Sequence, residues 1–215
     1  MSSTAALLAG WRPGGDPLAQ QFGKESKALI PVGSEPMIRR PLRALEASPA
    51  IGEVRVLSQD PKALRRAVGK IPDVRLETSQ GTIAETLLKM LFDPSVRWPL
   101  VVTTADHALL DGAMVDQFVA EAKSADIAVG VVDQDSLMER FPDTKRTWLK
   151  FRGGAYTGAN LFAFGSPKAA AAIEVWRSVE QDRKKGWRMI LALGPLTLLG
   201  AALRLLTVDR TAARL

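Results

Sequence analysis

Three glycines and two cations crowd the N-terminal part of this chain. Gly10, Gly14 and Gly15 lie in the stretch Gly10-Trp11-Arg12-Pro13-Gly14-Gly15-Asp16, and Lys27 follows shortly after. Glycine has no Cβ, so backbone N–H groups in such a loop can approach a ligand closely. A guanidinium and an ammonium beside them supply counter-charge, and the combination suits a polyphosphate. The spacing is neither G-x-x-x-x-G-K-[ST] nor a G-x-G-x-x-G that opens a helix, so on its own the loop reads equally well as a tight turn. A second stretch carries a carboxylate: Pro99-Leu100-Val101-Val102-Thr103-Thr104-Ala105-Asp106-His107. Here an apolar run ends in an aspartate, either a ligand for Mg²⁺, which prefers one or two carboxylates plus phosphate oxygens and water, or a cap for the following turn. The one histidine, His107, cannot build a histidine-rich metal site, and we assign it a structural hydrogen bond.

The elements that must position these residues follow from hydrophobic patterning. The apolar run Thr4–Leu8 ends in the glycine loop and reads as a buried strand, which puts Leu8, Ala9 and Gly10 at its carboxyl end. That edge is where open α/β sheets bind ligands. Residues 36–45 read as a helix, 53–57 as a strand, 61–68 as a basic helix and 73–77 as a short strand. Gln80-Gly81-Thr82 opens the next helix, whose N-terminus either meets an anion or base or is simply capped by Thr82. Asp111 caps a helix running to Lys123 with Met114, Val115, Phe118 and Val119 on its buried side, and residues 127–132 form another strand. Two further strands, 148–151 and 161–164, flank Tyr156-Thr157-Gly158-Ala159-Asn160, which reads as a turn. A helix over 167–181 closes the series. Strands alternating with helices of this length predict an α/β fold, mostly parallel, with helices on both faces.

Composition narrows the class. A chain of 215 residues with 47% hydrophobic and 24% charged side chains suits one globular domain. It has no cysteine, which excludes disulfides and Cys-ligated zinc and points to a reducing cytoplasm. No cleavable signal is evident at the start. The net charge of +6 and pI near 9.8 come from scattered clusters, Lys62, Arg65, Arg66 and Lys70 in one and Arg183, Lys184, Lys185 and Arg188 in another. No nucleic-acid motif accompanies them, so they read as solvated helix faces and nucleic acid is not an expected partner. Over 181–215 we expect a helical extension. Its uncharged run 189–203 would span about 22 Å as a helix, short of a bilayer's ~30 Å core. It reads as a buried helical pair or as a surface meeting membrane or lipid, which allows peripheral contact with the inner face of a membrane.

The order Leu7-Leu8-Ala9-Gly10, then Lys27-Ala28-Leu29-Ile30-Pro31-Val32-Gly33-Ser34-Glu35-Pro36-Met37-Ile38, resembles the signature of the MobA-like nucleotidyltransferases. The resemblance runs more thinly over most of the chain. It implies a three-layer, Rossmann-like fold of the GT-A type over 1–215, taken as a single domain. It further implies Mg²⁺-dependent transfer of a nucleotidyl group from a nucleoside triphosphate, CTP or GTP, to a phosphorylated small molecule, with pyrophosphate released. The acceptor it allows is a sugar phosphate, a polyol or glycerate-type phosphate, or a pterin phosphate. On the matching positions it assigns Lys27 and Arg12 to catalysis, Leu8, Ala9, Gly10, Gly14, Gly15, Gly81 and Thr82 to the nucleotide, Asp106 to the metal, and Thr157, Gly158 and Asn160 to the acceptor.

Three positions depart from the family pattern. Arg12 stands two residues after Gly10 rather than four, and Glu35 replaces a common basic residue before Pro36. The family's late metal-binding aspartate has no counterpart. Asp209 is the one late candidate, so substitution, a shortened chain and impaired activity all stay open. A GT-A-type glycosyltransferase and a nucleotide-binding module without turnover are the competing expectations. The first usually shows D-x-D where this chain has Asp106-His107-Ala108.

Overall fold

A computed structural model describes residues 2–11, 15–79, 81–151 and 153–181. The expected extension beyond 181, with Asp209, lies outside the described residues, as do Arg12 and Gly14. In chain order the elements are β1 (Ser3–Leu8), α1 (Pro17–Gln21), a 3₁₀ turn at Lys27–Leu29, β2 (Pro31–Val32), β3 (Glu35–Pro36), α2 (Arg39–Ala47), β4 (Ile51–Ser58), α3 (Pro61–Val68) and β5 (Val74–Thr78). They continue as α4 (Ile83–Leu91), β6 (Leu100–Thr104), α5 (Gly112–Ala122), β7 (Ile127–Asp133), α6 (Gln134–Arg140), β8 (Leu149–Phe151), β9 (Gly154–Phe164) and α7 (Ala170–Gln181). The described residues form two compact units: those within 2–129 and 160–169, and those within 130–159 and 170–181.

The first unit holds the sheet, in the order β5-β4-β1-β6-β9-β7; β9 enters it at Asn160, and β7 belongs to it as far as Val129. β5, β4, β1 and β6 run parallel, and β9 runs antiparallel to β6. The fold is therefore a mixed, mostly parallel Rossmann-like α/β sheet, as the alternation of elements predicts. Strand β1 lies between β4 and β6 with both faces covered, which is why its sequence is a continuous buried run rather than an alternating one. Even its Thr4 is fully buried, and the hydroxyl accepts the Arg97 N–H at 2.9 Å.

One face carries Ala5 and Leu7 of β1, Val54 and Val56 of β4 and Val101 of β6, packed with Leu42 and Leu45 of α2, Leu64 and Val68 of α3, and Val115 and Val119 of α5. Residues two apart on a strand share a face, so the register Ala5↔Val54 and Leu7↔Val56 brings these side chains together. Gly112 starts α5 where a Cβ would stand 3.2 Å from Ala47 Cβ, so glycine lets α5 come close to α2. Met114, expected on the buried side of α5, is 46% exposed, because the helix turns Val115 and Val119 inward instead.

On the opposite face, Arg55 and Glu53 of β4 are 2% and 5% exposed. Arg55 donates to Asp93 Oδ2 at 2.7 Å and to Ser95 Oγ at 2.7 Å, on the segment after α4, and lies 3.8 Å from Glu77 Oε1. Arg75 Nε of β5 stands 2.9 Å from Glu53 Oε1, close enough for an ion pair but not aligned as a hydrogen bond.

In the second unit, β8 pairs antiparallel with the first residues of β9, Leu149 opposite Tyr156 and Phe151 opposite Gly154. The Phe151 and Tyr156 rings meet edge-on at 6.0 Å. The turn expected at 156–160 is not there: those residues belong to the unbroken β9, and the chain reverses earlier, between β8 and Gly154. Asn160 has a positive φ of 51°, the local irregularity that its turn-like composition signals. Among the described residues no helix is long and apolar enough to cross a membrane.

Candidate functional site

Parallel pairing brings the carboxyl ends of β1, β4 and β6 to one edge, with Leu8 level with Leu57 and Thr104. Just beyond the strands, Ala9 N–H donates to Leu57 O at 2.8 Å and Ala105 N–H to Leu8 O at 2.9 Å. The glycine loop and the Asp106 turn therefore start side by side. Ala9 is buried and Gly10 exposed, so the chain surfaces at Gly10.

Gln59, directly after β4, reaches across this edge. Its Oε1 accepts Trp11 N–H at 3.0 Å and its Nε2 donates to Trp11 O at 2.9 Å. A Cβ on Gly10 would stand 2.8 Å from Gln59 Oε1, so the absence of a side chain at position 10 leaves room for this clamp. No sequence reading singled out Gln59. The one available signal was its place, two residues past the strand predicted over 53–57, on the ligand edge.

Lys27 sits on the 3₁₀ turn capped by Ser26, whose Oγ accepts Ala28 N–H at 3.2 Å. From there its Nζ donates to Asp106 Oδ2 at 2.6 Å, while Thr104 Oγ1 donates to Asp106 Oδ1. The two side chains are 37% and 30% exposed, so both can be reached by a ligand. Burial alone would push the Asp106 carboxyl up; the hydrogen bonds from Lys27 and Thr104 and the Lys27 charge outweigh it and hold the carboxyl below its ordinary value. Asp106 is thus an ionised carboxylate at neutral pH.

The turn beyond it is fixed by Thr103. Its hydroxyl donates its single proton to Asn160 O at 2.8 Å and lies 3.1 Å from His107 Nδ1, so that nitrogen is assigned the proton and donates to the hydroxyl. His107 therefore makes the structural hydrogen bond expected of it.

The structure thus brings Leu8, Ala9, Gly10, Lys27 and Asp106 to one edge of the first unit. Gly15 has a φ of +83° and leads into Asp16, which caps α1 by accepting Leu18 N–H and Ala19 N–H. Gly81 and Thr82 open α4 inside a capping box: Thr82 N–H donates to Glu85 Oε2 at 2.9 Å, and Glu85 N–H to Thr82 Oγ1 at 3.2 Å. Glu85 thereby occupies the helix N-terminus with a carboxylate of its own, and a Cβ on Gly81 would overlap its Oε2. Thr157 and Gly158 lie in the second unit, Thr157 at 6% exposure within β9; Asn160 lies in the first, where its carbonyl receives the Thr103 hydroxyl.

Among the described residues no group of three or more His, Cys, Asp or Glu is arranged to hold a metal ion. An ionised and accessible carboxylate such as Asp106 does fit Mg²⁺, which keeps several waters and takes the rest of its ligands from substrate phosphates. Two surface clefts of the first unit, about 260 Å³ beside Glu53, Asp73 and Arg75 and about 660 Å³ beside Lys62, Arg65 and Lys70, are lined by neither Lys27 nor Asp106.

Comparison with known proteins bears on this edge. A hypothetical transferase from Thermus thermophilus is 27% identical, with a TM-score of 0.78 over 100% of this chain and 87% of its own. CMP:2-keto-3-deoxy-manno-octonic acid synthetase in complex with CTP is 10% identical, with a TM-score of 0.59 over 88% of this chain and 87% of its own. The 4-diphosphocytidyl-2C-methyl-D-erythritol synthase of Anaerococcus prevotii is 9% identical, with a TM-score of 0.55 over 82% of this chain and 76% of its own. At such identities the last two are similar in fold. No curated protein sequence matches the chain significantly. The model of the MobA-like NTP transferase domain matches residues 14–199, a span that takes in both Lys27 and Asp106, and this chain belongs to that family as a nucleotidyltransferase.

Proposed function

We propose that this nucleotidyltransferase moves a nucleoside monophosphate, cytidylyl first among the candidates, from its triphosphate to a phosphorylated small molecule. A phosphate oxygen of the acceptor attacks the α-phosphorus. The bond from that phosphorus to the bridging oxygen of the β-phosphate breaks, and pyrophosphate leaves with the electron pair. Such a transfer needs positioning and electrostatic stabilisation rather than a protein nucleophile, in keeping with a chain that has no cysteine.

The observation that carries the reading is the Lys27–Asp106 pair at the carboxyl edge of β6, a cation and an anion both open to a ligand. Lys27 would neutralise charge developing on the leaving pyrophosphate, joined by Arg12. Backbone N–H groups of the loop after Gly10 would donate to phosphate oxygens, and the Gln59 clamp on Trp11 keeps the start of that loop in place. Asp106 would hold Mg²⁺, which when bound shields the phosphate oxygens' charge and makes the α-phosphorus more open to attack. Cytidine is favoured because one structural relative was solved in complex with CTP and another is named for a diphosphocytidyl product. GTP is the second nucleotide to test, and Asn160 of the first unit stays a proposed acceptor contact.

The test is pyrophosphate release from CTP, GTP, ATP and UTP, each with sugar, polyol and glycerate phosphates, run beside Lys27→Ala and Asp106→Asn. Release that depends on both nucleotide and acceptor, and collapses in both variants, supports the reading. Parent-like rates in both variants would remove Lys27 and Asp106 from it.

A further inference from the structure

The carboxylate assigned to a metal is already in use. Asp106 Oδ2 accepts from Lys27 Nζ at 2.6 Å, and Oδ1 accepts from Thr104 Oγ1. A divalent cation coming to Oδ2 would meet an ammonium already in place. Two cations at one partly buried carboxylate repel, because water screens them poorly there. Among the described residues no group of three or more His, Cys, Asp or Glu includes Asp106 to offset that repulsion.

The lysine is built to leave. Its backbone is fixed, since Ser26 caps the 3₁₀ turn and Ile38 N–H donates to Ala28 O at 3.1 Å. Its side chain is 37% exposed and carries the ammonium on a flexible four-carbon stem, so the ammonium can swing away while the turn stays where it is. A triphosphate supplies what the free protein lacks, a denser anion to draw the ammonium off and a cation carried on the same molecule.

We propose that Lys27 guards Asp106, so that the site accepts a divalent cation only as a chelate with a nucleoside triphosphate, the ammonium passing from the carboxylate to the phosphates as the cation arrives. This rests on the nucleotidyl-transfer reading above and adds the form in which the substrate enters. A free cation alone is held off, and the ammonium is delivered to the phosphates only when there are phosphates to receive it.

The experiment uses Mn²⁺ alone, without nucleotide, titrated into the full chain and followed by the electron paramagnetic resonance of the free ion. The proteins are the parent, Lys27→Met, Lys27→Gln and the double variant Lys27→Met with Asp106→Asn, each checked for folding by its thermal melt. Guarding predicts that both single variants bind Mn²⁺ at least about tenfold more tightly than the parent. It also predicts that Asp106→Asn abolishes the gain. Equal affinity in the parent and both single variants, including no binding in any, overturns the guard and leaves the transfer reading standing. A gain that survives Asp106→Asn puts the ion elsewhere, and then the metal role of Asp106 falls with the guard.

Discussion

Two ion clusters in the first unit each join a basic side chain to acidic ones and serve opposite ends. Lys27 and Asp106 meet at the carboxyl edge, each about one-third exposed, through one direct contact. Arg55 lies 3% exposed on the covered face of β4 and is committed to Asp93 and Ser95, with Glu53 and Glu77 nearby. A charge that water can reach exchanges its partner for a ligand at little cost; a buried one cannot, because losing a partner strands the other in a poor solvent. The same kind of pairing thus leaves an exchangeable contact at the edge and a structural lock below it. The lock fixes how β4, β5 and the segment after α4 sit on one another. Exposure, rather than charge, separates the two.

That contrast can be broken most forcefully at the lock. Arg55→Ala should destabilise the fold by about 3–5 kcal/mol, read by denaturant unfolding, because Glu53 loses its buried partner. Replacing both, as Arg55→Met with Glu53→Leu, should recover most of that loss. If the double variant unfolds as readily as the single one, the cluster holds the fold through more than charge pairing.

At the edge the pattern should invert. Lys27→Ala and Asp106→Asn should each lower turnover by about 10²–10³-fold with the melting temperature nearly unchanged, since the first removes the cation proposed to offset the phosphate charge and the second the anion proposed to hold Mg²⁺. A smaller loss is expected next door. Gln59→Ala removes both hydrogen bonds to Trp11, each worth about 1 kcal/mol, and should raise the KM for nucleotide about tenfold while leaving kcat close to the parent value.

The pH dependence sharpens the comparison with the smallest effect. Hydrogen bonds from Ser95 and from Arg55 hold the Asp93 carboxyl far below its ordinary value. A carboxyl depressed in the folded state binds protons more weakly there than in the unfolded chain. Its stabilisation is present above the unfolded value, about pH 4, and is lost as the pH falls below it. Asp93→Asn should flatten that acid limb of the stability curve, whereas the parent should show it.

How much of this was legible in the sequence follows the same division. Strands β1 and β6 could be read because burial on both faces leaves a continuous apolar run, and that placed Leu8 to Gly10 and Asp106 on one edge. The pairing of Lys27 with Asp106 joins residues 79 apart and is settled by strand register and by the 3₁₀ turn, neither of which leaves a local pattern. Gln59 was missed because a glutamine before the helix cap Asp60 has no chemical signature until the glycine loop folds against it. Glu53 and Arg55 alternate with valines as a half-solvated strand would, and only the segment after α4 shows that their face is covered. The stretch 156–160 misled because Gly158 and Asn160 are turn residues by composition, while pairing with β8 and β6 carries β9 straight past them.

The central claim is that one ammonium and one carboxylate trade their mutual contact for a metal–triphosphate. A crystal structure of the full chain with Mg²⁺ and a non-hydrolysable CTP analogue tests it directly. The account predicts Lys27 Nζ on phosphate oxygens and Mg²⁺ about 2.1 Å from an Asp106 oxygen. Nucleotide bound with the Lys27–Asp106 contact unbroken, or with its phosphates away from this edge, would contradict it.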